Sequence, residues 1–137
     1  MVERLVANEK VEGSTPFARS IIFMSDLFNK KCVPCEGGVL PFDISEIHRY
    51  QKKVDGWDIN NDEKEIFFLY KKFIFKDFLE SQKFINEVGK ISELEGHHPD
   101  LTFGWGYAEI KITTHSIKGL SENDFILASK IDQIINA

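Results

Sequence analysis

Apolar residues recur along this chain in two alternating periods, and the switches between them mark its elements. Asp43 or Ser45 can cap a helix running to about Val54, with Ile44, Ile47 and Val54 on one side and Asp55-Gly56 as its stop. A short strand at Trp57 to Asn60, the polar turn NNDEK and the long apolar run EIFFLYKKFIF from Glu65 to Phe75 predict a hairpin. Helical spacing returns in KDFLESQKFINEVGKISELEG, where Asp77 is the N-cap, Glu80 its capping-box partner, and Phe78, Ile85, Val88, Ile91 and Leu94 the buried stripe. Gly96 ends that helix. LTFGW and YAEIKITTH then read as strands turning at Gly104 to Gly106, with Ala108, Ile110 and Ile112 dry against Glu109, Lys111 and Thr113 wet. Ser121 to Asp124 is a capping box opening a last helix that points Phe125, Ala128, Ile131, Ile134 and Ile135 inward. The expected class is α+β in the order α-β-β-α-β-β-α: one four-stranded antiparallel sheet with three helices on one face.

The stretch before Met24 has neither period. Its GSTP, residues 13–16, is what the T-arm of a tRNA gene yields when translated in frame, so residues 1–23 read as a disordered tail or a misassigned start. Residues 24–42 form an N-terminal extension carrying one C-x-x-C, Cys32 to Cys35, and 43–137 the folded domain. A structural zinc needs four ligands and there is no second cysteine pair, so the two cysteines read as reduced surface thiols.

Composition narrows the functions. A net charge of −5 argues against nonspecific affinity for nucleic acid or anionic membrane, and no apolar run approaches the roughly 18 residues of a spanning helix. A cytoplasmic protein is expected.

The chemistry concentrates in EGHHPD, residues 95–100. His97 and His98 stand where a helix ends and a strand begins. A hairpin turning at Gly104 to Gly106 brings His115 back beside them, with Glu93 one helical turn away. Imidazoles titrate near neutral pH and pass protons in either direction, which suits acid/base work. Two solvated loop histidines are the plain alternative, and a three-histidine zinc site is the rival, disfavoured because adjacent residues rarely point at one ion. His48, among Arg49, Lys52 and Lys53, reads as a surface residue.

The spacing Glu93-x3-His97-His98-Pro99-x5-Trp105-x9-His115-x8-Asp124, together with FKDF, GLSENDFILASKID and the early GW, resembles the signature of the pterin-4a-carbinolamine dehydratases over about residues 43–136. Gly96 stands where an acidic or amide residue is more usual. The resemblance implies dehydration of a 4a-hydroxytetrahydropterin to the quinonoid dihydropterin, with no metal and no cofactor, the pterin being the substrate. It implies His97, His98, His115 and Glu93 as catalytic residues, and His97, His98, Pro99, Thr114, His115, Ser116, Ile117 and Asp124 as substrate contacts. Asp124 also has a local reading as the third residue of its capping box. Partners implied are the small-molecule pterin, a homodimer or homotetramer, and a phenylalanine hydroxylase pathway; no nucleic acid and no membrane. The alternative is an interaction protein, since some family members resemble dimerisation partners of a transcription factor.

Overall fold

The computed structural model describes residues 27–33 and 40–136, so the readings of residues 1–23 and of Cys35 lie outside the described residues. The elements are α1 (Ile44–Gln51), β1 (Asp58–Asn61), β2 (Phe67–Ile74), α2 (Phe78–Glu95), β3 (Asp100–Gly104), β4 (Tyr107–Ile112), a 3-10 turn (His115–Ile117) and α3 (Glu122–Asn136). Their order is the expected one. All pairings are antiparallel in the sequence β1-β2-β4-β3, so the hairpin β3-β4 is inserted beside β2 through its second strand.

Register decides which side chains meet the helices. Leu69 opposes Ile112 and Phe73 opposes Ala108, which itself opposes Phe103, so these project to one face. That face is dry: Leu69, Phe73, Ala108, Ile110 and Ile112 are buried with Val88 of α2 and Phe125, Ala128 and Ile131 of α3. Burying a side chain of this size contributes about 1.5–3 kcal/mol, so the sheet–helix interface is the main source of stability.

Several buried positions differ from those the pattern predicts. The buried stripe of α2 is Ser81, Phe84, Val88 and Ser92, while Phe78 and Leu94 are exposed; Ile85 and Ile91 pack at its margin. The serines are admitted because each hydroxyl finds a carbonyl: Ser81 Oγ donates to Gly104 O at 2.6 Å, and Ser92 Oγ to Val88 O at 2.8 Å. Thr113 is buried rather than wet, its hydroxyl donating to Phe67 O at 2.8 Å. Ile44 and Ile135 are exposed, and α1 stops at Gln51, leaving Val54 buried beyond its end. Cys32 is buried too, not a surface thiol. Burial, with the charge of Glu95 adding to it, pushes that thiol up to about 12, so it is protonated at neutral pH.

The residues before the domain are tied to it. Leu27 belongs to the core. Cys32 N–H donates to Glu95 Oε1 at 2.9 Å, and Lys30 Nζ pairs with Glu122 Oε2 at 2.6 Å. Burial raises the Glu95 carboxyl, but Lys130 at 2.9 Å and the Cys32 N–H outweigh it and hold the group below its ordinary value. Hydrogen bonding from Lys30 does the same for Glu122.

Lys71 also lies on the inner face, opposite Ile110, and is the charged exception there. Its ammonium pairs with the buried Asp132 of α3 at 2.8 Å, and Asp132 also accepts from Trp57 Nε1 at 3.1 Å and from Asp55 N–H. Burial raises the Asp132 carboxyl, and the Lys71 ammonium opposes that rise.

Two outcomes follow from these charges. Lys71→Met leaves the buried carboxylate without its cation and is expected to cost about 3 kcal/mol in urea unfolding. Adding Asp132→Asn recovers part of that loss, because the orphan charge goes while Trp57 keeps an acceptor; a double variant no more stable than Lys71→Met contradicts this account. Glu95 and Glu122 have folded values below the unfolded one, so their stabilisation is present above about pH 4.5 and is lost as pH falls through the folded values. Glu95→Gln is therefore expected to flatten the acid limb of stability against pH, and an unchanged limb contradicts it.

Candidate active site

The polar end of the sheet is built by the way α2 stops. Gly96 takes the left-handed conformation at φ 66°, which a side chain would strain. Gly96 N–H then donates to Glu93 O at 3.3 Å and His97 N–H to Ser92 O at 3.2 Å, the paired bonds of a Schellman ending. The chain leaves the helix at His97 and enters β3 at Asp100, placing both histidines at the sheet end.

The hairpin supplies the other side. Asp100 pairs with Lys111, so β4 runs back past β3 and carries Thr113, Thr114 and His115 toward His97 and His98. Thr114 and Gly119 form an isolated antiparallel bridge, with Thr114 N–H to Gly119 O at 2.9 Å, pinching off the loop that presents His115. Lys118 closes the turn at φ 55°.

These groups line a cleft of about 360 Å³ formed by Cys32, Val33, Gly96, His97, His98, Thr113, Thr114, His115, Ser116 and Asn123. The convergence of His115 on the His97-His98 pair is thus what the hairpin argument requires. Glu93, Pro99, Ile117 and Asp124 stand outside that lining. Trp105, at the hairpin tip, is 71% exposed and lies at the opposite end of the hairpin.

Asp124 acts from behind. It is wholly buried at the start of α3, and its carboxylate accepts three hydrogen bonds: Ser121 N–H at 2.8 Å, the Thr114 hydroxyl at 2.7 Å, and His97 Nε2–H at 2.7 Å. The capping bond and the hold on His97 are therefore one arrangement. With Nε2 committed as a donor, His97 has only Nδ1 left for a bound molecule. His98 is oriented differently, its Nε2 lying 2.7 Å from Glu93 Oε1 in a pair that is mostly exposed. His115 and Ser116 are exposed at the cleft mouth. His48 sits on the surface of α1 beside Gln51.

Sequence reasoning missed Gly96, Thr113, Cys32, Val33 and Asn123 as lining residues. For Asn123 the signal was slight, an amide between two acids at a helix start. For Cys32 and Val33 no local pattern pointed to a site.

The described residues contain no group of three or more His, Cys, Asp or Glu arranged to hold a metal ion, and no helix among them is long and apolar enough to cross a membrane.

Residues 41–134 match the model of the family described as pterin 4 alpha carbinolamine dehydratase. A protein of Rickettsia bellii, provisionally named a pterin-4-alpha-carbinolamine dehydratase, is 46% identical over 111 residues, covering 80% of this chain and 95% of its own. One from Rubrobacter xylanophilus with the same provisional name is 43% identical over 111 residues, covering 81% of this chain and all of its own. Among solved structures, the transcriptional coactivator/pterin dehydratase of Brucella melitensis superimposes with a TM-score of 0.61 at 26% identity, over 69% of this chain and 97% of that one. A pterin dehydratase-like protein described as a RuBisCO assembly factor shares the fold, with a TM-score of 0.51 at 22% identity over 60% of this chain and 92% of its own. By match, identity and coverage, the chain belongs to the pterin-4-alpha-carbinolamine dehydratase family.

Proposed function

We propose that the protein dehydrates 4a-hydroxytetrahydropterins, releasing water and the quinonoid dihydropterin that a reductase recycles after aromatic hydroxylation. The observation that carries this reading is the convergence of three imidazoles in one cleft, one of them locked on a buried carboxylate. At about 360 Å³ the cleft is of a size for one small bicyclic heteroaromatic ligand.

The reaction breaks the C4a–O bond. The hydroxyl leaves with an added proton as water, N5 loses its proton, and the N5 electron pair becomes the C4a=N5 bond. One group must donate a proton while another accepts one. His97, held through Nε2, and His115 are assigned to polarise and protonate the hydroxyl. His98 is assigned the N5 proton, with Glu93 orienting its ring. Thr114 and Ser116 line the same wall, the Thr114 hydroxyl being committed to Asp124. The chemistry asks only for proton transfer, so activity is expected to survive a chelator.

An interaction role is the second reading. Among the described residues the outer strands β1 and β3 each leave one edge unpaired within the sheet, and such edges accept a second copy or another chain. The Brucella protein is described both as a transcriptional coactivator and as a pterin dehydratase. A cytoplasmic location and service to a phenylalanine hydroxylase belong to the dehydratase reading.

In a coupled hydroxylase assay following decay of the 4a-hydroxypterin, His97→Ala and His115→Ala are each expected to lower turnover per folded molecule by roughly 10- to 10⁴-fold, with His97→Ala also less stable because Asp124 loses a donor. A wild-type rate in either variant, after subtracting the uncatalysed background, removes that residue from the mechanism. If the wild-type protein itself adds nothing to the background decay, the dehydratase reading is wrong.

Asp124→Asn tests the group behind His97. An amide offers one acceptor oxygen where the carboxylate serves three donors with two, and its NH2 would face a donor. The expected cost is about 1–3 kcal/mol in stability, together with a lower turnover per folded molecule because His97 loses the acceptor that orients its ring. A lower melting temperature with unchanged turnover per folded molecule would make Asp124 a helix cap alone.

A further inference from the structure

Residues 27–33 lie outside the matched family segment, which spans residues 41–134, yet they contribute two of the cleft's lining residues, Cys32 and Val33. The two helix ends that also position the histidines supply polar holds on this segment. From the end of α2, Glu95 accepts the Cys32 N–H at 2.9 Å, and Leu94 O accepts Lys31 Nζ at 2.9 Å. From the start of α3, Glu122 binds Lys30, and the Asn123 carbonyl receives the Cys32 thiol at 3.5 Å.

Asn123 adds a two-way pairing. Its side-chain oxygen accepts Val33 N–H at 3.0 Å, and its side-chain nitrogen donates to Val33 O. Only a carboxamide at this length offers one acceptor and one donor to a single peptide residue; Asp would set oxygen against the Val33 carbonyl, and Ala offers neither. Asn123 itself lines the cleft and stands next to Asp124. A molecule filling the cleft therefore meets the strap, its latch and the catalytic imidazoles together.

We propose that Leu27–Val33 is a strap forming one wall of the substrate cleft, latched by Asn123, and that its docking is coupled to binding of the reduced pterin. This rests on the dehydratase reading. The coupling is reciprocal by linkage: a ligand that touches Cys32 and Val33 only when the strap is docked favours the docked state, and loosening the strap weakens the ligand by the same factor. Cys32 is a reporter here and not a nucleophile, since its thiol is protonated and buried.

The test uses the full-length chain carrying Cys35→Ser, so that Cys32 is its only thiol. Modification by a small disulfide reagent at pH 8 reports strap opening, and 7,8-dihydrobiopterin is the probe, its binding measured separately by equilibrium dialysis. Saturating probe is expected to slow Cys32 modification at least 10-fold, since 100 times Kd of a ligand excluded from the open state lowers opening about 100-fold. Asn123→Ala is expected to speed modification about 10-fold and to raise KM by a larger factor than it lowers kcat. Measurable binding of the probe with no protection of Cys32 overturns the strap and leaves the dehydratase reading standing. Failure of the probe to bind the parent chain overturns the dehydratase reading and the coupling with it. The protection experiment requires no Asn123 variant, so misfolding of that variant would not decide the question.

Discussion

A buried carboxylate is tolerable only when its lone pairs are taken up, and at Asp124 the three donors come from three different parts of the chain. Ser121 N–H belongs to the turn entering α3, the Thr114 hydroxyl to the chain leaving β4, and His97 Nε2–H to the chain leaving α2. Each needs the others in place, because a missing donor leaves an unsatisfied charge in a dry setting. The site is therefore assembled by the same requirement that closes the sheet against its helices. Asp132 repeats the device farther along α3, gathering Lys71, Trp57 and the Asp55 N–H around a second buried carboxylate. The two groups pin α3 near its start and near its end, to opposite regions of the sheet.

Much of this was legible in the sequence because it is written locally. Periods of 2 and 3.6, capping residues at Asp43 and Asp77, and glycine at the end of α2 are short-range signals, and each element formed where its pattern lay. The meeting of His115 with His97 and His98 was also legible, since a hairpin has only one way to return. Illegible features depend on contacts across the fold. Ser81 and Ser92 read as polar, yet they occupy the buried face of α2 because carbonyls stand within reach of their hydroxyls. Lys71 is charged, yet its register turns it to the inner face, where Asp132, sixty-one residues away, receives it. For Asp124 the sequence offered both a capping reading and a site reading, and the partner that joins them, His97, lies 27 residues upstream.

The N-terminal stretch is where pattern reading fell shortest. Residues 30–33 are too few to show a period and contain no regular element, so nothing local distinguishes a loose extension from a bound one. What binds them is a set of backbone and side-chain donors matched to Glu95, Glu122 and Asn123, and the match exists only once α2 and α3 lie side by side. Their charges were visible from the start. Their complementarity was not.

The three histidines are held with very different stiffness, and this bears on how each can act. His97 has a side chain 13% exposed, fixed by a bond to a wholly buried carboxylate, so little is left for a ligand to order. His98 and Glu93 are 60% and 78% exposed, and an ion pair in that setting contributes at most about 1 kcal/mol, too little to hold one rotamer against solvent. His115 rides on a short turn pinched between Thr114 and Gly119, with backbone placement fixed and its ring in solvent. On the proposed dehydration, the rigid His97 fixes where the leaving hydroxyl is met, the adaptable His115 joins it there, and the adaptable His98 takes the N5 proton. Under that proposal, the ordering that a bound pterin imposes falls mainly on His98 and His115.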